Sequence, residues 1–400
     1  MIPDDFNLLN RSNDPEELRT LYEDLRSRCP VAHTSDYGGM WTLTRHADIS
    51  AAAQNSSLFI SSVKAVVPSD PRGLRRPPLN FDAPQHTPFK TALGRTLKPK
   101  RLRHLETVIR EHSLFELQPM LDAGGGDICA EYGARFPAWC ETAWLNLDDE
   151  IAPLLSKTAS AWVNAWREQD GELVSKHSQT LYQLARDLVA DRKANPRDPE
   201  VDPASSLLLE RVGPDLEPLA EEHIVGALRQ SLVVGMVAPP LLIASITRHL
   251  AGNPDLQDQL RENLDDVPAA VEEFIRLYSP YRGFARTVSE PTTLHGRTIQ
   301  PGEPVTMTYC AANRDPTVFP SPDTFILHRP NITKHLGFGR GRHACAGAQL
   351  ARLMMQTAVR DLLEQTSSIE LDEREGRACK GAMMPELGYI SCPVRLVRRE

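Results

Sequence analysis

The chain has 400 residues, 41% apolar and 24% charged, the make-up of a globular protein with a large core. A net charge of −8 argues against nucleic acid as a partner. The polar N-terminal stretch lacks the apolar region of a signal peptide, and no apolar run reads as long enough to span a bilayer. The expected setting is cytoplasmic, without membrane attachment. The seven cysteines, Cys29, Cys129, Cys140, Cys310, Cys345, Cys379 and Cys392, form no CxxC or CxxCH motif. An odd number of scattered cysteines suggests reduced thiols, six of them expected to be small core residues.

Asp14 to Arg28 reads as an amphipathic helix, Trp41 to Thr44 as a strand and Arg45 to Gln54 as a helix. Leu58 to Pro84 is loop-rich, with Pro68, Pro71, Gly73, Pro77, Pro78 and Pro84; long irregular segments are usually functional or flexible. Asp82-Ala-Pro opens a helix on which His86 and Lys90 share a face at i, i+4. A solvated basic face is the plain reading of that pair. Lys98, Lys100, Arg101 and Arg103 cluster just beyond. Helical periodicity runs from about Leu105 to Arg192, with breaks at Gly124-Gly-Gly126 and Pro137. Trp162 and Trp166 share a helix face and read as core. Asn195 to Pro203 is a loop.

Glu221 to Leu250 reads as a long central helix. Its middle is Leu232-Val-Val-Gly-Met-Val-Ala-Pro-Pro-Leu241, and the two prolines should kink it. Glu273 and Arg276 stand at i, i+3, the spacing of a helical ion pair. Arg282, Phe284 and Arg286 alternate in an extended segment and so share a face. Strand-like pieces follow at Thr292 to Ile299 and Val305 to Tyr309, and again from Gly381 to Val397.

One stretch carries chemistry: His335-Leu-Gly-Phe-Gly-Arg-Gly-Arg-His-Ala-Cys-Ala-Gly347, followed by a helical run from Ala348 to Leu363. Glycines serve where the backbone takes positive φ or lies against something flat. A cysteine at a helix start is expected to have a lowered thiol pKa, because the free amides and dipole favour negative charge. Arg340, Arg342 and His343 act the same way. A thiolate facing a flat partner with acidic groups fits haem iron held by one cysteine. A structural cysteine in a Gly-rich loop is the alternative.

Phe338-Gly-x-Gly-x-His-x-Cys-x-Gly347 resembles the haem-ligand signature of the cytochrome P-450 superfamily. The resemblance implies a mainly α fold with small β-sheets, a triangular helical prism. Haem would lie between the long central helix and the Cys-loop helix, in one domain over residues 1–400. It implies haem b, not covalently attached, with Cys345 as the axial metal ligand and Phe338, His343 and Gly347 around it. His86, Lys90 and Arg286 would bind the propionates; the family usually has Arg where Lys90 stands. Glu273, Arg276 and Arg329 match a structural network. The Leu58 to Pro84 loop, Val234, Ala238, Arg282, Phe284 and Leu387 would border the substrate. The basic cluster would face a ferredoxin-like electron donor.

The central helix departs from the family pattern. Gly235 keeps the close-approach position, but Val237 stands where the family has an acid and Ala238 where it has an alcohol. These three catalytic positions leave proton delivery open. Water in the widened turn, a polar substrate, or hydrogen peroxide in place of dioxygen would each supply protons, with Arg282 a candidate carboxylate anchor. The stretches around Met236 and Arg282 are similar to a bacterial branch that includes aryl-ether O-demethylases. The implied activity is hydroxylation or O-demethylation of a small, aromatic molecule. The alternatives are oxidative coupling, peroxide-driven oxidation, or a haem-binding protein without turnover.

Overall fold

Helices dominate this computed structural model, which describes residues 4–9, 11–68, 74–374 and 376–399. Residues 69–73 of the loop assigned to the substrate wall, with Pro71 and Gly73, lie outside the described residues. The first helix, Pro15–Arg28, starts where the Asp14 side chain accepts the amides of Glu16 and Glu17. A five-stranded sheet has the order Val31–Thr34, Met40–Leu43, Pro304–Met307, Phe284–Val288, Phe59–Ile60. Met40–Leu43 pairs in parallel with Pro304–Met307, so the sheet ties the N-terminal strands to the segment 284–307. A three-stranded sheet joins Thr366–Leu371, Pro393–Arg398 and Gly125–Asp127.

The helical reading of residues 105–192 holds, with more breaks than the glycines announce. Glu106–Ala123 ends on Gly124 in the left-handed region (φ 71°), the usual helix-stopping geometry. A short strand and a π-turn, Ile128–Gly133, follow. Pro137 does not break a helix; it occupies the first turn of Phe136–Trp144, where its missing N–H costs nothing. Ile151–Arg167 and Gly171–Ala194 then form an antiparallel pair. Asp82 does not cap a helix as expected. Its carboxylate accepts the Ser61 and Ser62 amides at 2.8 and 3.0 Å, and the helix begins at His86.

The central stretch, Glu221–Ala251, contains an 18-residue window with a mean hydropathy of 1.6 and is, by length and composition, long and apolar enough to cross a membrane. That corrects the sequence reading that no run reaches this length. The stretch is core: 83% of its most apolar window is buried inside the fold. It is also two helices, Glu221–Val234 and Ala238–Ala251.

Glu273 is fully buried and accepts from Arg276 at 2.7 and 2.8 Å and from Arg329 at 2.9 Å. Arg276 also reaches the Asn313 and Pro322 carbonyls, and Arg329 the Pro320 carbonyl. One carboxylate thus fixes the irregular segment 313–330 that leads into the cysteine loop. Removing one partner of a buried ion network strands the other charges. Glu273→Ala is therefore expected to lose about 3–5 kcal/mol of stability, measured by denaturant unfolding.

Candidate functional site

The cysteine loop folds back on itself. The Cys345 amide donates to the Phe338 carbonyl at 2.8 Å, and Ala344 to Gly341 at 3.1 Å. Gly339 and Gly341 take φ of 69° and 72°. The loop glycines press against protein rather than a flat partner: a Cβ on Gly337 would sit 2.5 Å from Ile275 Cγ2. Gly347, before the helix Ala348–Gln365, has open space around it. The Arg352 guanidinium covers the Phe338 ring at 4.6 Å. Cys345 is exposed; crowding by the surrounding loop nonetheless pushes its thiol up, against the pull of Lys90 and the Gly347 amide. The expected lowering by the helix terminus is therefore outweighed by desolvation.

Cations converge beside this thiol. The His86 and His343 rings lie 4.4 Å apart, edge to face. Both ring nitrogens of His86 and Nε2 of His343 are buried without a hydrogen-bond partner. Lys90 Nζ donates to the Ala344 carbonyl, one residue from the cysteine. Arg286 is buried, and its Nη1 donates to its neighbour's carbonyl, Ala285, at 2.6 Å. Burial, then the charges of Lys90, Arg342 and Arg286, push His86 down to about 4. Burial, Arg286 and His86 push His343 down to about 3. Asp82 is the carboxylate that opposes this, 3.8 Å from His343 Nε2. Its own bonds to the Ser61 and Ser62 amides already employ it. Buried positive charge without matching negative charge is costly, so the donor set fits a group that brings carboxylates of its own.

The central helix breaks over residues 235–237, where Met236 N reaches the Val233 carbonyl at 2.8 Å. Pro239 and Pro240 do not kink a continuous helix. They lie in the first turn of the second one, a position proline favours. Val234 is 42% exposed and Ala238 half-buried. They stand i, i+4 and are the accessible positions of residues 231–240. Val237, expected at a catalytic position, is instead 5% exposed and part of the core. Gly235 does make a close approach, but to a side chain the sequence reading missed: a Cβ there would sit 2.5 Å from Glu141 Oε1 and 2.6 Å from Cγ. Glu141 is 4% exposed, its Oε2 has no partner, and burial pushes its carboxyl up to about 8. The signal was available: Glu141 is the one acid in the helix Phe136–Trp144.

The expected substrate contacts separate. Arg282 precedes the strand and is spent on structure: Nε donates to the Glu386 carbonyl at 2.9 Å, and Nη2 to Ala382 and Asn13 at 3.1 Å. It therefore anchors the C-terminal loop and is neither a carboxylate anchor nor on the face of Arg286. Leu387 also turns away. It packs with the cluster of Phe6, Leu8 and Tyr22 under the first helix. Phe284 packs on Tyr281 and Tyr309, with ring centroids 4.8 and 6.3 Å away. Arg229, which the sequence did not single out, is 1% exposed. It lies 4.5 Å from the Trp162 ring and 5.6 Å from the Tyr182 ring. Its Nη2 donates to Ser178 Oγ at 3.1 Å, and Nε and Nη1 have no partner. In the basic cluster, Arg101 is paired with Glu200, while Lys98, Lys100 and Arg103 are exposed. All seven cysteines are free; Cys379 and Cys392 bring their sulfurs to 3.6 Å.

A mainly helical fold with a cysteine loop at one helix start, buried cations around it and a broken central helix has the outline of a haem-thiolate protein. The family model described as cytochrome P-450 matches residues 144–392. The chain is 30% identical over 358 residues to cytochrome P-450 109 of Bacillus spizizenii, covering 88% of this chain and 84% of that one. It is 27% identical to linalool 8-monooxygenase of Pseudomonas putida, over 89% and 91%. The crystal structure of CYP108D1 from Novosphingobium aromaticivorans superposes with a TM-score of 0.84 at 26% identity, covering 96% and 95%. The chain belongs to the cytochrome P-450 family, whose cofactor is haem b, and is an oxidoreductase of the monooxygenase type.

The contact between Gly235 and Glu141 is directly testable. Gly235→Ala is expected to lose about 1–3 kcal/mol by overpacking. In the Glu141→Ala background most of that loss should disappear, which a double-mutant cycle by chemical unfolding measures.

Proposed function

We propose that the chain hydroxylates or O-demethylates a small aromatic substrate, using dioxygen and electrons from a separate ferredoxin-type donor. Cys345 Sγ would ligate the iron of haem b, with Phe338 and Gly347 beside it, and His86, Lys90, Arg286 and His343 would hold the propionates. The observation that carries this reading is the surplus of buried cations and unpartnered ring nitrogens beside one cysteine. The proposed unit is the single domain of residues 1–400, cytoplasmic, in keeping with its free thiols. Lys98, Lys100 and Arg103 are the surface offered to an acidic electron donor.

When bound, the thiolate-ligated haem supplies dioxygen activation, favoured by electron donation from sulfur. The protein's part is positioning. Val234 and Ala238 present one apolar side to the substrate, and the buried Val237 keeps a charged group out of that place. Arg229 stands six residues before Gly235, about 9 Å along a helix. Its guanidinium, between Trp162 and Tyr182 and with Nε and Nη1 unsatisfied, suits an aromatic molecule with an acidic group at its far end. Oxidative coupling without oxygen insertion is the second reading, favoured by the missing acid at Val237.

Two measurements test this. Reduced protein under carbon monoxide should show the red-shifted Soret band of thiolate ligation, and Cys345→Ser should lose it. A histidine-type band in the wild type would contradict the assignment. In a Soret-shift screen, aromatic acids should bind more tightly than fatty acids or cyclic dipeptides. Arg229→Met should weaken the acids about tenfold or more, the cost of one charge-assisted bond, and leave neutral aryl ethers nearly unchanged. Labelled dioxygen entering the product separates oxygen insertion from coupling.

A further inference from the structure

Insertion of one oxygen atom into a substrate takes up dioxygen, two electrons and two protons, and releases water. Residues 231–240, which carry the accessible Val234 and Ala238, contain no titratable side chain. The acid has to come from another element.

The helix Phe136–Trp144 supplies one. Glu141 extends to the break between the two central helices and fills the space that a side chain on Gly235 would take. The π-turn before that helix closes on the same junction, since a Cβ on Gly133 would lie 3.1 Å from Pro240 Cα. Pro239 and Pro240 have no N–H for the carbonyls of Gly235 and Met236, four residues earlier. Oε2 is buried and has no partner, a costly state for a carboxylate and a tolerable one for a neutral acid.

We propose that Glu141 is the proton-holding acid of the oxygen-consuming reaction, acting through the gap that Gly235 leaves in the central helix. This rests on the monooxygenase reading above. Glu141 Oε2 carries a proton in the resting protein, releases it towards the Val234–Ala238 side, and takes another from solvent before the next turnover. The two protons pair with the two electrons of the donor. Burial alone raises the carboxyl, to about 8. The thiols of Cys140, beside it on the helix, and Cys345 in the loop feel its charge. Asp361 of Ala348–Gln365 and Tyr132 of the π-turn are titratable neighbours on the Cys140 side.

Infrared difference spectroscopy of wild-type and Glu141→Gln holoprotein tests this without turnover. A protonated-carboxyl band should be present in the wild type, absent in the variant, and titrate near pH 8. Its folded pKa is raised, so its stabilising effect is full below about 4.5 and is lost as pH rises to about 8. The isosteric variant should therefore gain stability relative to wild type across that window. With donor and substrate, Glu141→Gln should cut product formed per electron pair about tenfold or more. It should also remove the fall in wild-type rate as pH passes 8, with the carbon monoxide spectrum unchanged. A wild type with no such band, or a variant with the same coupling and pH profile, overturns the proposal. Absence of product from the wild type with its band intact counts against the monooxygenase reading instead. If Glu141→Gln does not fold, the pH titration of the wild-type band still decides: no band titrating near pH 8 overturns the proposal.

Discussion

Like charges gathered in a buried place must be held there by something. Around Cys345 the chain brings together His86, Lys90, Arg286 and His343, with the exposed Arg342 at the rim, and sets the already occupied carboxylate of Asp82 against them. Repulsion and desolvation force both histidines into the neutral state, at a cost that folding alone has no reason to bear. The arrangement becomes favourable once two carboxylates enter with a planar cofactor. Stability of the apoprotein and affinity for the cofactor are thereby opposed, and the rest of the fold holds the opposition in place. The Glu273 network fixes the segment before the loop, and the Gly-rich turns lock the loop against Ile275 and the backbone of Ala53 in the helix His46–Gln54.

The same logic applies at the central helix. An apolar stretch of this length would pack most tightly as one straight helix. Here it is cut at residues 235–237, and the cut admits Glu141 from the neighbouring helix. Gly235 and Glu141 form one device: the absence of a side chain at one position makes room for an acid at another. Arg229, under two turns earlier on the same helix, is a second buried polar group only partly satisfied: Nη2 donates to Ser178 Oγ, while Nε and Nη1 have no partner.

The fold and the cofactor were legible because they depend on local signals. The cysteine loop is a short motif, helical periodicity survives in single segments, and the Glu273–Arg276 pair is adjacent in sequence. What stayed hidden depends on packing between distant segments. Arg282 and Arg286 look equivalent in an extended stretch. Arg282 turns to the C-terminal loop because Glu386 and Ala382 offer carbonyls there, while Arg286 stays in the strand. Pro239 and Pro240 read as a kink, yet they start a helix because the chain has already turned at Gly235. The thiol expected to be acidic is not: the loop crowded around the exposed Cys345 raises it, against the pull of Lys90 and the Gly347 amide. Glu141 could be suspected only as a lone acid in an apolar helix.

The account rests on buried cations awaiting the carboxylates of haem. Titrating the apoprotein with hemin and with its dimethyl ester compares the same ring and iron with and without that charge. Hemin should bind about a hundredfold more tightly or better, the worth of two charge-assisted contacts. Equal affinity for acid and ester would contradict it.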